Sequence, residues 1–284
     1  MEIQRVGVIG CGLMGSGIAH ACARSGVETV VREATPSLLA AGRARLEQGL
    51  SKDVSRGKLL EADSEAVKQR LRYSTDLSDL HDCQLIIEAV TENLDVKREI
   101  FSALDIICGP DALFASNTSS IPIIQIATAT QRRERCAGFH FFNPVPTMKL
   151  VEIVRSIATS DETVETLRAF SVRLGKTAIE AKDTPGFIVN RLLVPYLIDA
   201  VRLLEAGVAT REDIDAGMQL GCGYPMGPLT LADFVGLDTL YYVAEVMYEE
   251  LKEPRFAPPV LLKQMVQAGY LGRKSGKGFY DHGT

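Results

Sequence analysis

Arg5-Val-Gly-Val-Ile-Gly10-Cys-Gly12-Leu-Met-Gly15-Ser-Gly17 is the stretch of sequence that decides the fold. Its apolar start predicts a short, buried parallel strand. Gly10, Gly12 and Gly15 then have the G-x-G-x-x-G spacing, in which the first Gly allows a tight turn, the second lets a pyrophosphate approach the backbone, and the third lets a helix pack on the strand. Because a small-residue helix follows at once, the sequence favours a dinucleotide site over a purely structural turn.

A carboxylate at the expected distance supports this interpretation. A second predicted strand, residues 28–31, ends just before Glu33, which lies 23 positions after Gly10. That separation is close to the ~20-residue offset of the acid that bonds the adenine ribose. A carboxylate accepts a hydrogen bond from the ribose 2′-hydroxyl and repels a 2′-phosphate, so NAD is favoured. The adjacent Arg32 could pair with a phosphate, which leaves NADP open.

Composition excludes several classes of protein. The chain has 284 residues, is 46% hydrophobic and 24% charged, and has a formal net charge of −5 without a basic block, so nucleic acid is not expected as a partner. Its six cysteines form no C-x-x-C pair and lie mostly in apolar runs, which predicts reduced core thiols and no metal site. No apolar run approaches ~18 residues and the amino terminus enters a strand at once, so we expect no membrane span, no signal peptide and a cytoplasmic location.

Strand and helix alternate along the first two thirds of the chain. This alternation predicts an α/β fold with a Rossmann-type, doubly wound, mainly parallel sheet. Later predicted strands are 84–90, 113–116, 136–142, 150–154 and 177–179, and the predicted helices are 36–57, one from 63, 94–107, 122–127 and 162–174. From Asp183 onward strands vanish, and helical spacing covers 187–204, 214–220, 238–251 and 260–268. We therefore expect a nucleotide-binding domain over residues 1–182 and an all-α domain over 183–284.

A histidine and a glutamate frame the stretch His140-Phe-Phe-Asn-Pro-Val-Pro-Thr-Met-Lys-Leu-Val-Glu152. A strand–turn–strand arrangement would return Glu152 to His140, giving a general base whose far ring nitrogen is held by a carboxylate. The spacing alone favours a core histidine that donates to a backbone carbonyl. Together with the other motifs of the chain, however, the pattern favours a general base.

Polar residues end another predicted strand, in the stretch Leu113-Phe-Ala-Ser-Asn117-Thr-Ser119-Ser120. Ligands bind at the carboxyl ends of strands in such sheets, where these groups could donate to a carbonyl oxygen and to a nicotinamide. We expect Ser120 to cap the next helix and Ser119 to be freer to face the cleft. Because no G-x-S-x-G elbow surrounds Ser119, hydrolysis is not favoured.

Seven segments in order carry a family resemblance. They are Gly10-Cys-Gly-Leu-Met-Gly, Ile87-Glu-Ala-Val-Thr-Glu92-Asn, Ala115-Ser-Asn-Thr-Ser-Ser-Ile, His140-Phe-Phe-Asn-Pro-Val-Pro, Thr184-Pro-Gly-Phe-Ile-Val-Asn190-Arg, Met226-Gly-Pro and Gly276-Lys-Gly-Phe-Tyr. With them the chain closely resembles the short-chain 3-hydroxyacyl-CoA dehydrogenase family, especially its bacterial 3-hydroxybutyryl-CoA members, over essentially its whole length. The resemblance implies NAD-dependent interconversion of (S)-3-hydroxyacyl-CoA and 3-oxoacyl-CoA.

The resemblance also implies roles for individual residues. His140 would take the proton of the C3 hydroxyl, Glu152 would stabilise the resulting imidazolium, and Ser119 and Asn190 would orient the substrate. Further cofactor contacts would come from Leu13, Met14, Glu92, Lys97, Asn117, Asn143 and Lys274. Judged from the residues alone, Asn190 could be an ordinary polar residue on a helix face, and Asn143 could merely make its turn.

Other implications concern charge and assembly. Glu92 with Lys97 could instead be a solvated charge pair at the start of a helix. Arg56 would contact coenzyme A, and it shares a predicted helix face with Arg45 and Lys52, which could also be simply solvated. The resemblance further implies a homodimer formed through the helical domain. Two rival functions remain open: a dehydrogenase of a free hydroxy acid or sugar acid on the same fold, and a non-catalytic, crystallin-like relative.

Overall fold

The computed structural model describes residues 2–283. The chain divides into two compact units, one ending at Thr184 and the other beginning at Pro185. The first unit holds a sheet with helices around it, and the second is helical. This architecture confirms the predicted fold class, a doubly wound α/β sheet followed by an all-α domain.

The strands of the first unit form one sheet. Within the described residues they are β1 Arg5–Ile9, β2 Glu28–Arg32, β3 Leu71–Ser74, β4 Leu85–Glu88, β5 Leu113–Ser116, β6 Cys136–Phe141, β7 Leu150–Arg155 and β8 Thr177–Lys182. Their order in the sheet is β3-β2-β1-β4-β5-β6-β7-β8. Only the β6–β7 pair among them is antiparallel. The carboxyl ends of β1, β4, β5 and β6 therefore meet at one edge of the sheet.

Helices cover both faces of this sheet. They are α1 Leu13–Arg24, α2 Pro36–Ser55, α3 Glu61–Gln69, α4 Leu94–Ile107, α5 Ile123–Ala127 and α6 Asp161–Arg173. Neighbouring strand residues point to opposite faces: Val8 packs in a cluster with α1, α2 and α6, whereas Ile9 packs in a cluster with α4 and α5. Burial on both sides explains the nearly continuous apolar runs of the strands.

Helix α4 shows how sequence dictates one of these elements. Asn93 caps its start by accepting a hydrogen bond from the backbone N–H of Val96 at 3.1 Å. Its buried residues Lys97, Ile100, Phe101 and Leu104 recur at helical spacing, so one face of the helix packs against the sheet. This periodicity is strong, and the predicted bounds 94–107 are confirmed.

Two elements were missed by the sequence prediction. Strand β3 has four residues, of which only Leu71 is buried, and it lies at the sheet edge. Helix α9, Pro228–Val235, begins within the Gly-Pro pair that otherwise indicates a loop. In both cases the local apolar pattern is too short to identify the element.

The second unit is a helical bundle with its own core. Its helices are α7 Val189–Glu205, α8 Arg211–Ala216, α9, α10 Leu237–Leu251 and α11 Val260–Gln267, and a π-helical turn at Gly217–Gly221 follows α8. The core includes Leu197, Leu229, Leu240 and Met247. In the range 2–283 no helix combines the length and the apolar character needed to cross a membrane.

All six cysteines are free thiols, and five of them are buried. Burial raises the pKa of both Cys22 and Cys136 to about 12, so these thiols stay protonated near neutral pH. The prediction that the cysteines are core residues is thus confirmed at five positions, whereas Cys222 is exposed.

The predicted cap of helix α5 was wrong. The Ser120 hydroxyl donates to Glu92 and does not cap the helix. The Asp183 carboxylate instead accepts hydrogen bonds from the backbone N–H groups of Ile123 at 2.7 Å and Ile124 at 2.9 Å. An acid 60 positions further along the chain therefore caps the amino-terminal end of this helix, and no local sequence pattern could reveal it.

We expect Asp183→Ala to lower the free energy of unfolding by about 2 kcal/mol, because two amides at the start of α5 lose a charged acceptor. Urea unfolding measures this loss. Thr35→Ala, which removes the 3.3 Å cap of α2, is the matched control and should cost about 1 kcal/mol or less. If Asp183→Ala lost no more free energy of unfolding than Thr35→Ala, the importance of this cap would be contradicted.

Candidate active site

The glycine loop leads from β1 into α1. Gly10 has φ +89°, a conformation that favours glycine, and a Cβ there would lie 2.6 Å from the carbonyl oxygen of Ala89. A Cβ on Gly15 would collide with the carbonyl oxygen of Gly10. At Gly12 a Cβ would have no heavy atom within 4 Å, so this residue faces open space. These are the three roles that the G-x-G-x-x-G spacing assigns to its glycines.

A cavity of about 710 Å³ lies at this loop, a volume within the usual range for cofactor sites. It is lined by glycine-loop residues, including Leu13 and Met14, and by Arg32, Glu33 and residues of α4. No side chain among the described residues caps α1, whose N-cap is Gly12, so its backbone N–H groups suit a phosphate.

Glu33 is held at the rim of this cavity. Its carboxylate oxygens accept hydrogen bonds from the backbone N–H groups of Cys11 at 2.6 Å and Ala34 at 2.9 Å. A carboxylate oxygen has more than one acceptor site, so each can still take a ribose hydroxyl. The glycine loop, the cavity and the acid therefore fit the adenosine and pyrophosphate of NAD.

Strands β6 and β7 bring His140 and Glu152 together. The antiparallel register places the two residues directly opposite each other, so their side chains share one face of the sheet. His140 Nδ1 lies 2.7 Å from Glu152 Oε2, with 4% and 0% of the two residues exposed. The strand–turn–strand pattern of the sequence is thus present, and it produces a buried imidazole–carboxylate pair.

Ser119 contacts the other nitrogen of the same ring. Its Oγ lies 3.0 Å from His140 Nε2. Because a buried carboxylate can only accept from Nδ1, we assign the ring proton to Nδ1 and the lone pair to Nε2. Ser119 then donates to Nε2, and the imidazole offers a base on the side of the serine.

Glu92 fixes the segment that carries Ser119. One of its oxygens accepts from the Thr118 hydroxyl at 2.5 Å, from the backbone N–H groups of Ser119 and Ser120 at 3.0 and 3.2 Å, and from the Ser120 hydroxyl at 3.0 Å. Although burial acts to raise the pKa of Glu92, the Lys97 ammonium and these donors hold it below its usual value. Glu92 therefore remains a carboxylate.

Lys97 is not a solvated charge. Only 1% of it is exposed, and its Nζ lies 2.7 Å from Glu88 and 3.3 Å from Glu92. Glu88 is fully buried as well. Glu88 was missed by the sequence analysis, although a glutamate at the end of an apolar strand, inside Ile87-Glu-Ala-Val-Thr-Glu92, was a usable signal.

Asn117 joins two strands at the same sheet edge. Its Oδ1 accepts from the backbone N–H of Phe141 at 2.8 Å, and its own N–H donates to the carbonyl oxygen of Glu88. Asn143 is exposed in the turn that follows β6. Asn117 thus supports the chain on either side of His140, while Asn143 is open to a ligand.

The remaining predicted site residues have these positions. Arg56 is exposed directly after α2, while the Arg45 guanidinium donates to the carbonyl oxygen of Cys11 at 2.8 Å and so is partly engaged by the glycine loop. Asn190 and Lys274 belong to the second unit. Asn190 is half-buried in the first turn of α7, and Lys274 forms an ion pair with Asp238, Nζ to Oδ2 being 2.6 Å.

Two family models match this chain. Residues 5–184 match the "3-hydroxyacyl-CoA dehydrogenase, NAD binding domain", and residues 186–282 match the "3-hydroxyacyl-CoA dehydrogenase, C-terminal domain". The first match agrees with the glycine loop and its cavity, and NAD is the cofactor.

Relatives resemble the chain over almost its whole length. It is 52% identical over 282 residues to a 3-hydroxybutyryl-CoA dehydrogenase of Mycobacterium tuberculosis, with 99% of both chains covered. It is 46% identical to the human mitochondrial hydroxyacyl-coenzyme A dehydrogenase, covering 99% of this chain and 91% of the relative. The crystal structure of (S)-3-hydroxybutyryl-CoA dehydrogenase PaaH1 from Ralstonia eutropha superposes with a TM-score of 0.95 at 45% identity, with both chains fully covered.

The glycine loop, the cavity with Glu33 and the matches to both domain models lead to one assignment. The chain belongs to the 3-hydroxyacyl-CoA dehydrogenase family.

Proposed function

We propose that this enzyme interconverts (S)-3-hydroxybutyryl-CoA and acetoacetyl-CoA, with His140 as the general base and Glu152 as the residue that orients it. One observation carries the proposal: a buried carboxylate, an imidazole and a serine hydroxyl form a hydrogen-bonded row, with contacts of 2.7 and 3.0 Å. The row lies at the sheet edge where the glycine loop also lies. The curated relatives that bear this substrate's name support the choice of substrate.

The chain's own residues divide the proton chemistry among them. The unprotonated Nε2 of His140 takes the proton of the C3 hydroxyl during oxidation and returns it during reduction. Bound NAD supplies the acceptor and donor of hydride. Glu152 keeps Nδ1 protonated and stabilises the imidazolium that forms, because a buried carboxylate next to a cation favours the charged state.

Ser119 and Asn190 orient the substrate in this proposal. The Ser119 hydroxyl already lies within hydrogen-bond distance of His140 Nε2, so an oxygen of the substrate that binds to the base also meets this donor. A donor at that oxygen polarises the 3-oxo group for reduction. Asn190, which lies on α7, is the second residue that we propose to orient the substrate, and we propose that Arg56 contacts coenzyme A.

The NAD contacts follow the same proposal. The pyrophosphate of NAD binds at the glycine loop, to Gly10, Gly12, Leu13, Met14 and Gly15, and the adenine ribose binds to Glu33. The other proposed NAD contacts are Glu92, Lys97, Asn117, Asn143 and Lys274. For Lys97 this contact is indirect, since its ammonium is bonded to Glu88 and Glu92.

We also propose that the enzyme is a homodimer formed through the helical unit. Exposed apolar side chains on that unit, including Leu192, Leu220 and Val260, support this assembly. Light scattering coupled to size-exclusion chromatography, with the protein at micromolar concentration, should give twice the mass of one chain. The mass of a single chain would reject the dimer.

We expect His140→Ala to bind NADH normally but to reduce acetoacetyl-CoA on the order of a hundredfold to ten-thousandfold more slowly, because the proton donor of the reduction is lost. Fluorescence titration measures NADH binding, and absorbance measures turnover. His81→Ala, which removes an exposed histidine, is the matched control and should leave both values unchanged.

Near-normal turnover of His140→Ala would remove this residue from the mechanism.

The same assay separates the rival functions in the wild-type enzyme. Turnover of free acetoacetate or a sugar acid without turnover of acetoacetyl-CoA would favour the first rival. NADH binding without any turnover would favour a non-catalytic protein.

A further inference from the structure

A buried pair of charges, Glu88 and Lys97, lies next to Glu92, and no proton-transfer step of the proposed mechanism uses it. Glu88 is 0% exposed and Lys97 is 1% exposed. Burial of charge costs free energy, and a buried ion pair often adds nothing to stability compared with apolar residues of the same volume. The pair therefore calls for a role other than stabilising the core.

Glu88 is fixed on three sides at the carboxyl end of β4. It accepts from the backbone N–H of Val90 at 2.7 Å, from Lys97 Nζ at 2.7 Å and from the Ser116 hydroxyl at 2.6 Å. Ser116 lies opposite Glu88 on the neighbouring strand β5. Glu88 thus holds Lys97 next to the carboxyl ends of β4 and β5. Glu92 lies in the segment after β4, and Ser119 lies in the segment after β5.

Lys97 passes this constraint on to Glu92. The ammonium lies 3.3 Å from one Glu92 oxygen, and the other oxygen accepts the backbone N–H of Ser119. The Ser119 hydroxyl in turn lies 3.0 Å from His140 Nε2. We propose that Glu88 and Lys97 are positioning residues, which set Ser119 against His140 by holding the Glu92 carboxylate; this inference rests on the proposed roles of Ser119 and His140.

The ion pair with Lys97 supports the Glu92 carboxylate beside its hydrogen bonds to the serine segment. The Glu92 side chain is 25% exposed, and without Lys97 no ion pair with that ammonium would oppose its desolvation or its turning towards water. Glu88 would then be the nearest charge on β4, and two carboxylates repel each other. Either movement or protonation of Glu92 would release the amides of Ser119 and Ser120.

The same contacts predict a pH signature. Charged and titratable groups near Glu92 include Lys97 on α4, Glu88 on β4 and, through Ser119, His140 on β6. Burial raises the pKa of Glu92, and the charge of Lys97 lowers it. When that charge is lost, the pKa of Glu92 should therefore rise. Since the carboxylate form holds Ser119, activity in the reducing direction should then fall at mildly acidic pH and recover partly as pH is raised.

The test uses Lys97→Met and Glu88→Gln in the full-length enzyme. The matched control is Asp105→Asn on the same helix, which weakens the ion pair with Arg132, 2.7 Å long, away from Ser119. For each variant we would measure kcat and KM for acetoacetyl-CoA across pH, the NADH dissociation constant and the urea midpoint.

We expect Lys97→Met to lower kcat between about tenfold and about a hundredfold, the size of effect that a small misplacement of a reacting group produces. Because Lys97 is also assigned to the NAD site, its kcat is measured at saturating NADH, and part of kcat should return at higher pH. Glu88→Gln should act in the same direction but less strongly, and it carries the test if Lys97→Met does not fold. Asp105→Asn should lose stability without losing kcat.

Wild-type kcat and an unshifted pH profile in both variants would overturn the inference. So would a loss of activity that disappears at saturating NADH, because Lys97 would then act through the cofactor alone. Wild-type enzyme that does not reduce acetoacetyl-CoA would reject the proposed function itself, which keeps the two failures distinct.

Discussion

The antiparallel pairing of β6 with β7 is the constraint on which the site depends. The other strand pairs of the described sheet are parallel, and a parallel neighbour would carry the chain away from the carboxyl edge before it returned. The reversal after β6 instead sets Glu152 opposite His140 in register, with both side chains buried on one face. A shift of that register by one residue would send Glu152 to the opposite face and leave the imidazole without its carboxylate.

Parallel strands bring other polar residues to the same edge of the sheet. Because β1, β4, β5 and β6 run in the same direction, their carboxyl ends bring Gly10, Glu88, Ser116 and His140 to one edge of the sheet. Hydrogen bonds and an ion pair then connect the segments that follow these strands, from Glu88 through Lys97 and Glu92 to Ser119. His140 is thus held by its position in the sheet and, through Ser119, is connected to a network of charges.

Sequence reasoning succeeded where the physics is local. The glycine spacing identified the nucleotide loop, since tight turns and close approach demand Gly at fixed positions. The apolar period of α4 gave its bounds, and the Asn-Pro turn between two apolar runs indicated the return of Glu152 to His140. In each case neighbours along the chain determine the outcome.

It failed where partners are distant along the chain or a pattern is short. Asp183 caps α5 from 60 positions away, and β3 is a short, mostly polar edge strand. Glu92 with Lys97 resembled a solvated pair, because the burial of Lys97 depends on its contact with Glu88, which lies on another element, β4. Charged residues that become buried are the part of such a site that sequence patterns describe least well.

The state of one imidazole tests the account most directly. Nitrogen-15 NMR of histidine-labelled enzyme, with His140→Ala to assign the signal, reports which ring nitrogen carries the proton when the ring is neutral. Our account predicts that the proton is on Nδ1, facing Glu152, and that Nε2 is unprotonated and accepts a hydrogen bond from Ser119. A neutral ring protonated on Nε2 would contradict it, since such an imidazole could neither donate to the carboxylate nor act as the base on the side of the serine.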